Sequence, residues 1–209
     1  MLFPVPGLSI IAAKAGSGKT SLIKFGIFEL ARSQGVDYIY VFTSTPTDYE
    51  YLPPRYVISG YTTQKLAIIM NNQSNSRDKR LLLVFDDIIG SVDFFRDPLI
   101  AKLVTEFRHF NIGVIISTQY IYRISPVVRE NAFTAVLFKQ ITFNAQKACY
   151  ESYGGDFKKL KDFQEYMNQK LDADFKFILI NNKANRFEDR YLIRKVNIES
   201  LPRNGRISF

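Results

Sequence analysis

Short apolar runs recur along the chain, and stretches with the spacing of amphipathic helices separate them. The first run predicts a strand over Leu8–Ala13, and a helical pattern follows over Lys19–Arg32. Further strands are expected at Asp37–Thr43, at Arg80–Phe85, at Asn111–Gln119 and at Phe133–Phe138. Helices are expected between them over Thr62–Asn72, Asp97–Phe110 and, briefly, Pro126–Asn131. Helical spacing returns over Asn144–Ser152 and Asp156–Gln169, and strand-like Phe175–Ile180 and Tyr191–Val196 suit a hairpin on a sheet edge. The turn residues of Thr43–Thr47 and the polar stretch from Asn72 to Arg77 read as loops. Strands alternating with helices predict an α/β fold, a three-layer sandwich around a mostly parallel sheet.

The junction between the first strand and first helix carries the strongest chemistry. It reads Ala13-Lys14-Ala15-Gly16-Ser17-Gly18-Lys19-Thr20, followed by Ser21. Strand, glycine-containing loop and helix start form the context that a nucleoside-triphosphate phosphate cradle needs. Backbone N–H groups of Ala15 to Ser21 would surround the phosphates. Lys19 would reach the β and γ oxygens, and the Thr20 hydroxyl would hold Mg²⁺. The usual pattern begins with glycine where Ala13 stands, so Ala13 must keep φ negative or accept strain.

The other half of such a site is an acidic residue ending a second buried strand. Leu81-Leu82-Leu83-Val84-Phe85 runs into Asp86-Asp87, about 66 residues after Thr20. An unbroken apolar run suits a central parallel strand covered on both faces, and ligands bind at the carboxyl ends of such strands. Asp86 is the candidate for the Mg²⁺ shell and Asp87 for polarising the attacking water; alternatively, Asp87 caps a following helix. Ser117, Thr118 and Gln119 end a further strand as polar sensors do in motor-type ATPases, where a Gln amide holds water or feels the γ-phosphate. The plain alternative is that Gln119 caps the strand end.

Composition narrows the class. The chain has 209 residues, a net charge of +8, one cysteine and one histidine. That length fits residues 1–209 as one domain, with a nucleotide-binding core over 1–140 and C-terminal helices and edge strands over 141–209. Cys149 alone makes no internal disulfide, and His109 alone excludes a multi-histidine metal site. No apolar run reaches the roughly 18 residues of a membrane span, so no membrane partner is expected. The positive excess favours polyanions, nucleic acid first, although each basic group taken singly suits a solvated surface.

In order along the chain, these motifs resemble the FtsK–HerA superfamily, and within it the genome-packaging ATPases of DNA viruses. The resemblance rests on Ala15–Thr20, on Leu82–Asp87, and on Phe107-Arg108-His109 leading through Ile115-Ile116-Ser117 to Thr118-Gln119. Ser125–Ala132 looks like the family's Pro-x-x-x-Arg-x-Asn-Ala segment, with two residues rather than three between Pro126 and Arg129. It implies a P-loop NTPase of the RecA-like, additional-strand type. It also implies a homo-oligomeric ring, a hexamer or pentamer, that uses ATP and Mg²⁺ to drive double-stranded DNA into a preformed capsid. Partners would then include capsid vertex proteins, and the location would be the host cytoplasm at the assembly site, or the virion. Carried over, Arg108 and then Arg129 are candidates for a finger reaching the neighbour's γ-phosphate. Arg77 and Lys79, ahead of the acidic strand, are candidate DNA contacts.

Two departures from the pattern matter, Ala13 and an Asp-Asp pair in place of Asp-Glu. They keep open a scaffold that binds ATP without turning it over. A small nucleoside or nucleotide kinase also fits the length and the phosphate loop.

Overall fold

A computed structural model describes residues 2–88, 94–196 and 207. Its eight strands are β1 (Gly7–Ala12), β2 (Tyr38–Thr43), β3 (Val57–Ser59), β4 (Leu81–Asp86), β5 (Ile112–Thr118), β6 (Thr134–Phe138), β7 (Lys176–Asn181) and β8 (Tyr191–Lys195). They form one sheet in the order β3-β2-β4-β5-β1-β6-β7-β8. Every pairing from β3 to β6 is parallel, and β7 and β8 join antiparallel. The expected mostly parallel sheet is present. So is the edge hairpin, whose connection holds a one-turn helix, α7 (Phe187–Arg190).

The remaining helices are α1 (Lys19–Arg32), α2 (Thr63–Ser74), α3 (Pro98–Glu106), α4 (Pro126–Asn131), α5 (Phe143–Tyr153) and α6 (Leu160–Lys170). They cover both sheet faces, because alternate residues of a strand point to opposite sides. In β4, Leu81, Leu83 and Phe85 enter a core shared with α2 to α6. Leu82 and Val84 enter the opposite core beneath α1, with Leu22, Ile23 and Ile27. All six residues of β4 are buried, as an unbroken apolar run requires. This is a three-layer sandwich.

Strand order matters most for the site. β5 is inserted between the phosphate-loop strand β1 and the acidic strand β4, which is the additional-strand arrangement. The register aligns Ala12 with Thr118 and Asp86 with Ser117. The loop after β1, the acidic pair after β4 and the polar end of β5 therefore reach the same edge of the sheet.

Some boundaries differ from expectation. The helix expected to reach Phe110 ends at Glu106, because Asn111 adopts a left-handed φ of 56° and Ile112 N–H bonds to the Phe107 carbonyl. Asparagine tolerates that conformation better than most residues. The helix expected from Asp156 begins at Leu160, beyond the glycine pair Gly154-Gly155. Edge strand β3 was not anticipated, being three residues long.

Candidate nucleotide site

The phosphate loop takes its shape from its glycines. Gly16 and Gly18 have φ values of 75° and 96°, which side chains resist and glycine adopts freely. The Ser17 hydroxyl bonds to the Lys14 carbonyl at 2.7 Å and closes the turn. Gly18 starts α1 without a side-chain cap, so the first-turn N–H groups stay open to an anion. Ala13 is not in the left-handed region. It is fully buried, and its N–H bonds to the Thr118 carbonyl at 3.0 Å. Alanine therefore replaces the customary glycine without strain.

Lys19, Asp86, Asp87 and Gln119 come together as their motifs require. Lys19 is nearly buried, and its Nζ lies 3.4 Å from Asp86 Oδ1 and 3.1 Å from Asp87 Oδ2. Asp86 is buried; it accepts from the Ser117 hydroxyl on Oδ1 and from the Tyr49 hydroxyl on Oδ2 at 2.8 Å. The Gln119 amide donates to Asp87 Oδ2 at 3.2 Å, and Asp87 N–H bonds to the Ser117 hydroxyl at 3.2 Å. Gln119 therefore engages the acidic pair. Asp87 has a left-handed φ of 57°, an uncommon conformation for a residue with a side chain. The alternative reading of Asp87 as the cap of a following helix falls on residues 89–93, outside the described residues.

Tyr49 is the partner that sequence reasoning missed. It sits 37 residues before Asp86, in a short turn, Pro46–Tyr49, that follows β2. Burial, then the negative charge of Asp86, pushes its hydroxyl well above the ordinary tyrosine value, so it acts only as a donor to the carboxylate. Nothing local marks this Tyr among several in the loop. Only the pairing of β2 with β4 brings it to the acid.

The donor set fits a divalent cation that arrives with phosphates. Lys19 places an ammonium between two carboxylates, and Thr20 opens α1 beside it. Carboxylate and hydroxyl oxygens suit Mg²⁺. Among the described residues no group of three or more His, Cys, Asp or Glu could hold a metal; water and phosphate oxygens would complete an Mg²⁺ shell.

The other predicted residues lie elsewhere. Arg108 precedes β5, at the end opposite Gln119, and a seven-residue strand spans about 20 Å. Its guanidinium is stacked 4.9 Å from the Phe133 ring centre. Arg129, in α4, donates to the Ile124 carbonyl at 2.9 Å. No described arginine is bonded to Lys19, Asp86, Asp87 or Gln119. Arg77 and Lys79 are exposed in the turn before β4, where the buried Gln73 amide ties the Lys79 and Phe110 carbonyls together. Among the described residues no helix is long and apolar enough to cross a membrane.

No family model matches the chain. Among curated proteins it is 24% identical over 182 residues to protein 075L of Invertebrate iridescent virus 6, covering 84% of this chain and 70% of that protein. Protein 088R of Invertebrate iridescent virus 3 is 22% identical over 178 residues, with 82% and 68% covered. Both are described as uncharacterized. Among solved structures, the genome packaging NTPase B204 of Sulfolobus turreted icosahedral virus 2, in complex with AMPPCP, superposes with a TM-score of 0.68 at 17% identity. The match covers 90% of this chain and 97% of B204. The conjugation coupling protein TcpA of pCW3, with ATPgS, gives 0.63 at 12% identity, covering 90% of this chain and 59% of TcpA. The chain therefore shares its fold with the genome packaging NTPase B204 and with the coupling protein TcpA, in line with the fold its motifs implied.

Proposed function

We propose that this chain is a Mg²⁺-dependent ATPase of the viral genome-packaging type, a ring-forming motor that moves double-stranded DNA into a capsid. The observation that carries the reading is the convergence of Lys19, Asp86, Asp87 and Gln119 at one sheet edge beside an open phosphate loop. The likeness to B204 in fold supports it.

The chain's own groups suggest the steps. Lys19 exchanges its two carboxylates for the β and γ oxygens when a nucleotide enters. Asp86, held by Tyr49 and Ser117, faces the incoming cation with its orientation fixed. Asp87 orients water for in-line attack and takes its proton at a carboxylate oxygen. Gln119, bonded to Asp87, ties occupancy of the γ position to the end of β5. Thr20 and Asp86 would hold Mg²⁺, which would supply positive charge to offset that of the phosphates. An arginine from a neighbouring subunit, Arg108 or Arg129, completes the charge stabilisation and makes turnover depend on assembly. DNA contacts of the backbone type, with Arg77 and Lys79 as candidates, would be sequence-independent and weakened by salt. Action at a capsid vertex, at the host assembly site or in the virion, follows from the same reading.

One observation favours a second reading. A cavity of about 480 Å³ opens at the β3 edge of the sheet, lined by Pro46, Tyr49, Leu52 and Ser59 among others. It touches the acidic site through Tyr49, which bonds to Asp86, and would offer a kinase a place for its phosphate acceptor. Phosphate release from ATP, measured without acceptor and then with a panel of nucleosides and nucleotides, separates the two. Turnover without acceptor that is abolished by Lys19→Ala and Asp87→Asn supports the ATPase and excludes a scaffold that merely binds. Phosphorylated acceptor with no free phosphate supports the kinase.

A further inference from the structure

Four buried side-chain polar atoms among the described residues have no hydrogen-bond partner, and three of them belong to residues that line one cavity. These three are the Tyr153 hydroxyl, Asn182 Oδ1 and Arg190 Nε. Buried polar atoms are nearly always paired, so three orphans gathered around one space call for an explanation. The cavity holds about 350 Å³, within the range of small-ligand sites. Asn182 N–H bonds to the Phe133 carbonyl at 3.0 Å, which sets the cavity at the start of β6. The phosphate loop follows the far end of β1, and β1 runs parallel to β6. The cavity and the nucleotide site thus lie at opposite ends of the sheet, separated by the five residues of β6, about 17 Å.

Separate elements supply the lining. Arg129 and Glu130 come from α4, Glu151 and Tyr153 from the last turn of α5, Asn182 from the end of β7, and Arg190 from α7. Each orphan has a defined chemical sense. Tyr153 is 4% exposed. Burial raises its hydroxyl above the ordinary tyrosine value, against an opposing pull from the Arg129 charge, so the group offers a proton. Asn182 gives its amide N–H to the Ala132 carbonyl at 2.9 Å, which leaves its oxygen as an acceptor. Arg190 Nε has Asp156 Oδ2 as a charge partner at 3.3 Å but makes no hydrogen bond, so its N–H stays a cationic donor. The formal charges of two arginines and two glutamates cancel around this space. A nucleic-acid backbone would meet the glutamates, and a simple cation would meet the arginines. A small molecule carrying both signs satisfies both sets.

We infer that this cavity is a binding site for a small zwitterion, a free α-amino acid, separate from the nucleotide site. The ligand's carboxylate accepts from Tyr153, Arg190 and Arg129, and charge-assisted bonds of that kind are the strong ones. Its ammonium donates to Asn182 Oδ1 and to the carboxylate of Glu130 or Glu151. Glu151 also pairs with Lys147 at 3.7 Å. A bound amino acid would satisfy all three orphans at once and would tie α4, α5 and α7 to the end of β7. The inference uses neither the phosphate loop nor the acidic pair, so it does not depend on the nucleotide reading.

The full chain, free of nucleotide, would be titrated calorimetrically with each of the common free L-amino acids. For any that binds, the hydroxy acid and the decarboxylated amine with the same side chain are compared, together with inorganic phosphate. The expected result is one site per chain, with affinity at least about tenfold weaker in Tyr153→Phe and in Arg190→Gln, as loss of a hydrogen bond to a charged group requires. The hydroxy acid, the amine and phosphate should bind more weakly by a similar factor, and saturating Mg·ATP should not displace the amino acid. Ligand-free Tyr153→Phe should melt within about 2 °C of wild type or higher, because the hydroxyl has no partner to lose. A larger fall would show that the hydroxyl is already satisfied within the protein, and would overturn the inference. So would a wild type that binds no amino acid, binding that both variants leave intact, or binding that Mg·ATP displaces. Phosphate or the hydroxy acid binding as tightly as the amino acid would make this a plain anion site and overturn it too.

Discussion

Replacing Tyr49 with phenylalanine removes one oxygen and keeps a fully buried ring in place. The lost atom is the donor to Asp86 Oδ2 at 2.8 Å. Oδ1 keeps the Ser117 hydroxyl and Lys19 at 3.4 Å, but Oδ2 is left without its donor inside the protein. A hydrogen bond to a charged group contributes about 1.5–3 kcal/mol, and a buried acceptor left unmade costs at least as much. For a chain of this size each kcal/mol moves the melting temperature by about 2–4 °C. The nucleotide-free Tyr49→Phe protein should therefore melt roughly 3–12 °C lower. The interaction is isolated by a double-mutant cycle with Asp86→Asn, read by urea unfolding, in which at least about 1 kcal/mol of the loss should disappear. A loss below about 0.5 kcal/mol, or one that persists in full in the Asp86→Asn background, would refute the reasoning. Tyr49 would then be a packing residue and no part of the acidic site.

Three further outcomes follow from the same geometry. Mg²⁺ alone should not stabilise the protein, because Lys19 already sits on both carboxylates, whereas saturating Mg·ATP at about 100 times Kd should add about 2.7 kcal/mol in a thermal-shift assay. Gly18→Ala should abolish ATP binding in a filter assay, since φ is 96° and the new Cβ would collide with Phe175. Burial pushes the Cys149 thiol from its ordinary 9.0 up to about 12. Below pH 9.0 both folded and unfolded chains keep that proton; above it the unfolded chain sheds it first. Cys149 thus contributes stability that is lost as pH rises from about 9 to 12, and a thiol reagent at about pH 8 should label it only after urea unfolding.

What could be read from the sequence was local. The bounds of α1 follow from spacing alone, and the buried apolar run of β4 announces a central strand by itself. The phosphate loop is contiguous, so its glycines and Lys19 were legible together. Tyr49 was not, because it acquires its role through a partner dozens of residues away, across a strand pairing. The early end of α3 escaped because apolar spacing continues through Phe107 and Phe110 while Asn111 turns the chain. Arg108 and Arg129 present a different difficulty: a residue that acts on a neighbouring subunit leaves no trace of that role within one chain.

The most direct test of a DNA-driven packaging motor is steady-state ATP hydrolysis with and without long double-stranded DNA, with Lys19→Ala as the blank. The account predicts strong stimulation by DNA that is lost in the blank, falls as salt is raised, and is reduced when Arg77 and Lys79 are both neutralised. Hydrolysis that proceeds at the same rate without DNA would contradict it.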